Sequence, residues 1–133
     1  MSARSGVLEI RTEQDVVLAR QAARQAAVAS GLRLVDQTKL VTAASELARN
    51  AVIYGGGGQM QWELVEQGLR RGVRLVFSDQ GPGIADLEQA MTDGWSSGRG
   101  MGLGLSGSKR LVDDFELHSV AGEGTRIAIC KWT

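Results

Sequence analysis

The glycine-rich stretch between Gly98 and Gly107 limits the possible folds of this chain more than any other segment. Glycines occupy positions 98, 100, 102, 104 and 107, and such alternation suits neither a packed strand nor a stable helix. Leucine and valine then recur at helical spacing, which predicts a helix over about 102–114. A loop with free backbone N–H groups that leads into a helix N-terminus is suited to anions, so the stretch indicates a nucleotide polyphosphate site.

Other glycine motifs fit this stretch less well. Residues 102–107 match Gly-x-Gly-x-x-Gly, but a dinucleotide-binding fold has that motif directly after its first strand, and no strand is predicted there. A Walker loop requires Gly-Lys-Ser/Thr, whereas this chain has Gly107-Ser-Lys109. A protein-kinase glycine loop requires a much longer chain behind it. From this segment alone, phosphate binding and a merely flexible loop are equally supported.

Length and charge restrict the function classes. The chain has 133 residues, which predicts one domain over residues 1–133. Fifteen basic and fifteen acidic residues cancel, so nothing indicates nucleic acid or an anionic membrane as a partner. The single cysteine, Cys130, lies in an apolar run and is predicted to be a small core residue, not a nucleophile. Without a signal-type or membrane-spanning apolar run, we expect a cytoplasmic protein.

The order of predicted elements indicates an α+β fold. A strand at 7–12 precedes a helix at 13–30, with Thr12 as its N-cap and Gly31 as its C-cap. We expect helices packed on one face of a mixed, mostly antiparallel sheet. The remaining predicted elements are a helix at 36–54, strands at 59–65 and 73–78 around a polar turn, a short helix at 85–92, a polar loop at 93–100, and strands at 115–120 and 125–132.

Two places carry polar side chains that could line a cleft. Glu46 and Asn50 are four residues apart on the second helix and so share one face, with apolar neighbours on both sides. That flanking favours a cleft, although a solvated polar face is the usual position of such residues. Asp79 ends a strand and is followed by Gly-Pro-Gly, which is also compatible with an ordinary turn residue.

Four short motifs follow one another along the chain between residues 46 and 125. They are Glu46-Leu-Ala-Arg-Asn50, Asp79-Gln-Gly-Pro-Gly83, Gly100-Met-Gly-Leu-Gly104 and Gly122-Glu-Gly-Thr125. This order resembles the GHKL ATPases (gyrase, Hsp90, histidine kinase and MutL), and it covers about residues 7–132. The small size and the segments 45–50, 79–84 and 119–125 resemble the anti-sigma-factor-type serine/threonine kinases, in particular the switch kinases of the bacterial stressosome. The resemblance implies the GHKL (Bergerat) ATPase fold.

The resemblance also implies roles for individual residues. Glu46 would be the general base, and Asn50 would coordinate the Mg²⁺ that bridges the phosphates of ATP. Asp79 would accept a hydrogen bond from the adenine amino group, with Thr125 close to the adenine. The glycines at 100, 102 and 104 would wrap the phosphates. The nucleotide-binding set implied in this way is Asn50, Asp79, Gly81, Gly83, Gly100, Met101, Gly102, Leu103, Gly104 and Thr125.

The implied partners are proteins. Kinases of this type phosphorylate a serine or threonine of small STAS-domain proteins, namely an antagonist and a scaffold subunit, and after release they activate a PP2C-type phosphatase. The alternatives are an adaptor or anti-sigma factor that acts mainly by binding, and a free-standing ATPase. Two features depart from the wider family. The lid at 85–99 is short, so the cation for the γ-phosphate would be Arg99, Lys109 or neither, and the run Gly55–Gly58 is expected to alter the end of the second helix.

Overall fold

The capped first helix shows how local sequence sets this fold. In the computed structural model, which describes residues 4–81 and 104–133, Thr12 Oγ1 accepts from the Asp15 N–H at 3.2 Å and Asp15 Oδ2 accepts from the Thr12 N–H at 3.1 Å. Gly31 ends the helix with a φ of +88°, a conformation that favours glycine. Both predicted caps are confirmed. The elements are β1 (Ser5–Ile10), α1 (Glu13–Ser30), α2 (Leu34–Ile53), β2 (Gly58–Gln67), β3 (Arg70–Asp79), α3 (Gly104–Leu111), β4 (Asp114–Val120) and β5 (Gly124–Trp132).

The strands form one five-stranded sheet in the order β1-β2-β3-β5-β4. Its four pairings among the described residues are antiparallel. One sheet face packs on the helices through residues such as Leu75, Phe77 and Ile129, which belong to the main hydrophobic cluster. The predicted α+β arrangement, with helices on one face, is therefore confirmed.

Small side chains let α1 and α2 pack closely in that layer. Ala23 and Ala27 of α1 are fully buried, as are Leu40 and Ala44 of α2. The buried residues of α2 orient the helix so that Glu46 and Asn50, both partly buried, lie at the edge of the core. Among the described residues, neither long helix is apolar enough over its length to cross a membrane.

Several boundaries differ from the predicted ones. β2 extends to Gln67, and β3 already begins at Arg70. The turn between them is therefore Gly68-Leu69, two residues long, whereas the predicted strands leave a turn of seven residues at 66–72. The polar residues Glu66, Gln67, Arg70 and Arg71 are all exposed and yet pair across the ladder, which polarity alone does not reveal. α3 ends at Leu111 because Asp113 joins β5 instead, its N–H donating to the Cys130 carbonyl at 3.0 Å. The predicted helix at 85–92 and loop at 93–100 lie outside the described residues.

An ion cluster fixes the end of β5 against α2. Lys131 Nζ lies 3.3 Å from Asp113 Oδ1 and 3.7 Å from Asp36 Oδ1, and the Lys131 side chain is only 11% exposed. Removing the cation would leave the Asp36 carboxylate, itself 17% exposed, in a poorly hydrated place, where the exposed Arg33 at 3.8 Å is its other cationic partner among the described residues.

We expect Lys131→Met to lower the free energy of unfolding by about 1–2 kcal/mol. The loss should stay below that of a fully buried ion pair, because water still reaches both carboxylates that Lys131 contacts. Urea unfolding followed by circular dichroism measures this value, with the exposed Lys39→Met on α2 as the matched control. A Lys131→Met stability equal to that of the control would show that the cluster contributes nothing net.

Candidate active site

Asp79 stands where the sheet meets the end of α2. On β3, Asp79 follows the buried residues Leu75 and Phe77 at intervals of two. Its side chain therefore points to the same face of the sheet, which the helices cover. Directly across the ladder its partner is Thr125 on β5, and Thr125 in turn faces Ser119 on β4. The Ser119 and Thr125 hydroxyl oxygens are 2.8 Å apart. One row across three strands therefore carries a carboxylate and two hydroxyls.

Glycines line the Asp79 carboxylate. Asp79 Oδ1 accepts from the Gly81 N–H at 2.9 Å. A Cβ placed on Gly55 would lie 2.5 Å from Asp79 Cγ and 2.7 Å from Oδ2, and a Cβ on Gly81 would lie 2.6 Å from the Cα of Gly55. Gly124 has a φ of +111°, and a Cβ on it would collide with the Asp79 carbonyl. Three glycine-containing backbone segments thus pack closely around Asp79, two near its side chain and one against its carbonyl.

The last turns of α2 carry the other two predicted residues. The Glu46 side chain is 12% exposed, and its Oε2 lies 3.7 Å from Arg49 Nη1. Asn50 is half-buried, and its carbonyl accepts from the N–H groups of Tyr54 at 2.9 Å and Gly55 at 3.4 Å. The helix end that carries Asn50 is therefore bonded to the glycine that contacts Asp79. Such half-burial fits a cleft better than a solvated face.

The predicted site residues fall into two sets. The structure brings Asp79, Gly81 and Thr125 together and links Asn50 to them through Gly55, with Glu46 one turn earlier on the same helix. Gly104 is the first residue of α3, so the helix begins inside the glycine-rich stretch and includes Gly107. Lys109 is exposed in the last turn of α3. The predicted residues Gly83, Arg99, Gly100, Met101, Gly102 and Leu103 lie outside the described residues.

Sequence reasoning missed Gly55 and the partner of Thr125. The only available signal for Gly55 is the run Gly55–Gly58 itself, which is interpreted above as a helix-end feature. Its contact is with Asp79, 24 positions later, so only the fold reveals it. The hydroxyl pair of Ser119 and Thr125 likewise depends on the register of β4 against β5.

The side chains at this place suit a metal ion that is coordinated mainly by a bound small molecule and by water, with few protein oxygens. Within residues 4–81 and 104–133 there is no group of three or more His, Cys, Asp or Glu side chains placed to hold an ion. The carboxylate of Glu46 and the amide of Asn50 instead offer one or two oxygens on one helix face. Mg²⁺ is commonly bound in this way, through few protein oxygens plus phosphates and waters.

Cys130 takes no part in this chemistry. It is buried, as predicted, and burial together with the nearby Asp114 and Asp113 raises the pKa of its thiol to about 11. The thiol therefore stays protonated at neutral pH, and a protonated thiol is a poor nucleophile.

Comparisons with known proteins identify the family of this chain. The family model described as histidine kinase-, DNA gyrase B-, and HSP90-like ATPase matches residues 35–132. The chain is 49% identical over 125 residues to the serine/threonine-protein kinase RsbT of Bacillus subtilis (strain 168), covering 94% of each chain. It is 30% identical over 103 residues to the anti-sigma F factor of Clostridium novyi (strain NT), covering 71% of this chain and 69% of that one.

Solved structures share the fold. A crystal structure of the RsbU and RsbW domains of a Mycobacterium tuberculosis protein superposes with a TM-score of 0.67 at 20% identity, covering 97% of this chain and 32% of that chain. The matched family model spans most of the chain, and the identity to RsbT extends over nearly all of it. The chain therefore belongs to the histidine kinase-, DNA gyrase B- and HSP90-like ATPase family and, within it, is a serine/threonine-protein kinase of the group that includes RsbT.

Proposed function

We propose that this kinase transfers the γ-phosphoryl group of ATP to a serine or threonine of small STAS-domain regulatory proteins, an antagonist and a scaffold subunit. The 49% identity to RsbT supports this class of reaction. The observation that carries the proposal is the Asp79 carboxylate, held at the end of β3 by Gly81 and bordered by Gly55. A fixed carboxylate with glycines on one side is suited to accept a hydrogen bond from a flat heterocycle that carries an amino group.

The adenine end of the site would use two hydrogen-bonding groups. Asp79 Oδ1 is occupied by the Gly81 N–H, so Oδ2 is the oxygen that would accept from the adenine amino group. Thr125 lies directly opposite Asp79 on the neighbouring strand and would bond close to the ring. Gly55 and Gly81, whose backbones approach each other closely, carry no side chain that could obstruct the base.

The phosphate end would use α2 and the glycine-rich stretch. Asn50 would hold Mg²⁺, which when bound neutralises phosphate charge. Glu46 would accept the proton of the substrate hydroxyl as its oxygen bonds to the γ-phosphorus and the bond to the bridging oxygen breaks. Phosphoryl transfer requires positioning and charge stabilisation more than covalent chemistry, so a base, a metal ligand and backbone donors suffice.

After release from its substrates, the kinase would bind and activate a PP2C-type phosphatase. The similar Mycobacterium tuberculosis protein joins RsbU and RsbW domains in one chain, which supports a direct association between a domain of this fold and an RsbU-type partner. A second candidate function, sequestration of a partner as an adaptor or anti-sigma factor, is favoured by the 30% identity to an anti-sigma F factor.

Phosphotransfer in host lysate tests the proposal. We expect γ-labelled ATP and Mg²⁺, added with the purified protein, to label a band of STAS-domain size that Asp79→Asn does not label. Mass spectrometry of the band identifies the protein and the modified residue. If wild type binds ATP and captures partners but labels nothing, the adaptor function replaces the kinase function.

A further inference from the structure

We propose that Arg49 is a positioning residue for phosphoryl transfer, whose guanidinium holds the Glu46 carboxylate where it meets the substrate hydroxyl. The inference rests on the proposed function, because it requires Glu46 to be the base. Its starting point is the one charged contact recorded for Glu46 within the described residues, the 3.7 Å approach of Arg49 Nη1 to Oε2.

The helix places Arg49 on the side of Glu46 away from Asn50. At about 100° per residue, Asn50 lies about 40° to one side of Glu46 and Arg49 about 60° to the other. The carboxylate therefore lies between a cation and an amide that project from one stretch of helix. A single rotation about the Glu46 side chain would move its oxygens away from the hydroxyl, and the ion pair opposes that rotation.

Burial distinguishes this pair from ordinary surface pairs. The side chains of Glu46 and Arg49 are 12% and 37% exposed. The pair of the N-cap residue Arg33 with Asp36 of α2 has the same spacing and a distance of 3.8 Å, but its arginine is 88% exposed. A partly covered arginine side chain loses less orientational freedom when it pairs, and water screens its charge less.

Charge also favours a cation at this place. A bound triphosphate would place negative charge close to the Glu46 carboxylate, which lies one turn before the predicted metal ligand Asn50. Arg49 offsets that repulsion without occupying the face of Glu46 that is turned to Asn50.

The test compares two substitutions of Arg49 in single-turnover transfer to the purified protein that lysate labelling identifies. We expect Arg49→Met, which keeps the aliphatic stem, to lower the transfer rate by about tenfold, a fraction of the full contribution of a general base. The Kd for Mg-ATP, measured by equilibrium dialysis, should stay within about twofold. Arg49→Lys should restore most of the rate, and Arg33→Met is the matched control with an unchanged rate.

A double-mutant cycle shows whether Arg49 acts through Glu46. In the Glu46→Gln background, adding Arg49→Met should cause no further loss, because the carboxylate that Arg49 positions is gone. A further tenfold loss there, or a wild-type rate for Arg49→Met alone, overturns the inference. A weaker Kd for Mg-ATP in Arg49→Met also overturns it, since that would make Arg49 a nucleotide contact. If Glu46→Gln itself transfers normally, the proposed base fails and this inference fails with it.

Discussion

Asp79→Asn will lose ATP binding while the fold stays intact. The asparagine side-chain oxygen can still accept from the Gly81 N–H, the bond that Asp79 Oδ1 accepts at 2.9 Å, so the turn should persist. The other carboxylate oxygen becomes an NH₂ group, which would meet the adenine amino group donor to donor. Losing a charged hydrogen bond and leaving two donors unpaired should weaken binding on the order of 100-fold or more.

Isothermal titration of ATP into both proteins measures the effect. Glu116→Gln is the matched control, because it also replaces a carboxylate by an amide but lies exposed on β4. Circular dichroism and thermal melting should show that Asp79→Asn is folded. Equal affinity in wild type and Asp79→Asn would remove the adenine role of Asp79.

Glu46→Gln should keep Mg-ATP and lose most of the phosphotransfer. Glutamine preserves the size and an acceptor oxygen at a side chain that is only 12% exposed, so packing at the end of α2 should hold. It cannot take a proton at neutral pH. Removing a general base commonly costs about 10²–10⁴-fold in rate, and we expect a loss in this range.

Rapid-quench measurement of single-turnover transfer, at ATP concentrations above Kd, separates this loss from binding. Glu63→Gln, exposed on β2, is the control and should transfer at the wild-type rate. Near-normal transfer by Glu46→Gln would mean that the proton leaves by another route.

Local signals predicted local structure well. Thr12, Asp15 and Gly31 define α1 within one continuous segment, and side-chain capping chemistry depends only on neighbours. The start of α2 was less accurate, at 36 rather than Leu34. Its N-cap residue, Arg33, makes no side-chain capping bond and therefore leaves no mark in the sequence. Element type was predictable, and boundaries without a capping signal were not.

The motifs name candidate site residues but not their arrangement. The motifs predict Asp79 and Thr125, yet their pairing depends on the β3–β5 register, which is set by the whole sheet. Gly55 is important because it contacts Asp79, which is 24 positions later in the chain. Arg49 is notable because it pairs with Glu46, a carboxylate that the fold largely buries. Such contacts depend on tertiary packing, and one sequence considered by itself carries no direct record of that packing.

If Asp79 and Thr125 bind the adenine as proposed, the affinity for ATP would depend on the alignment of the strands that carry the row of Asp79, Thr125 and Ser119. A shift of β3 by one residue would turn the Asp79 side chain to the opposite sheet face and place Ser78 across from Thr125. A ligand that requires Asp79 and Thr125 side by side binds only the correctly aligned sheet. By mass action it then stabilises that alignment by about 2.7 kcal/mol at one hundred times its Kd. ATP would therefore act as a folding ligand for this sheet as well as a phosphate donor.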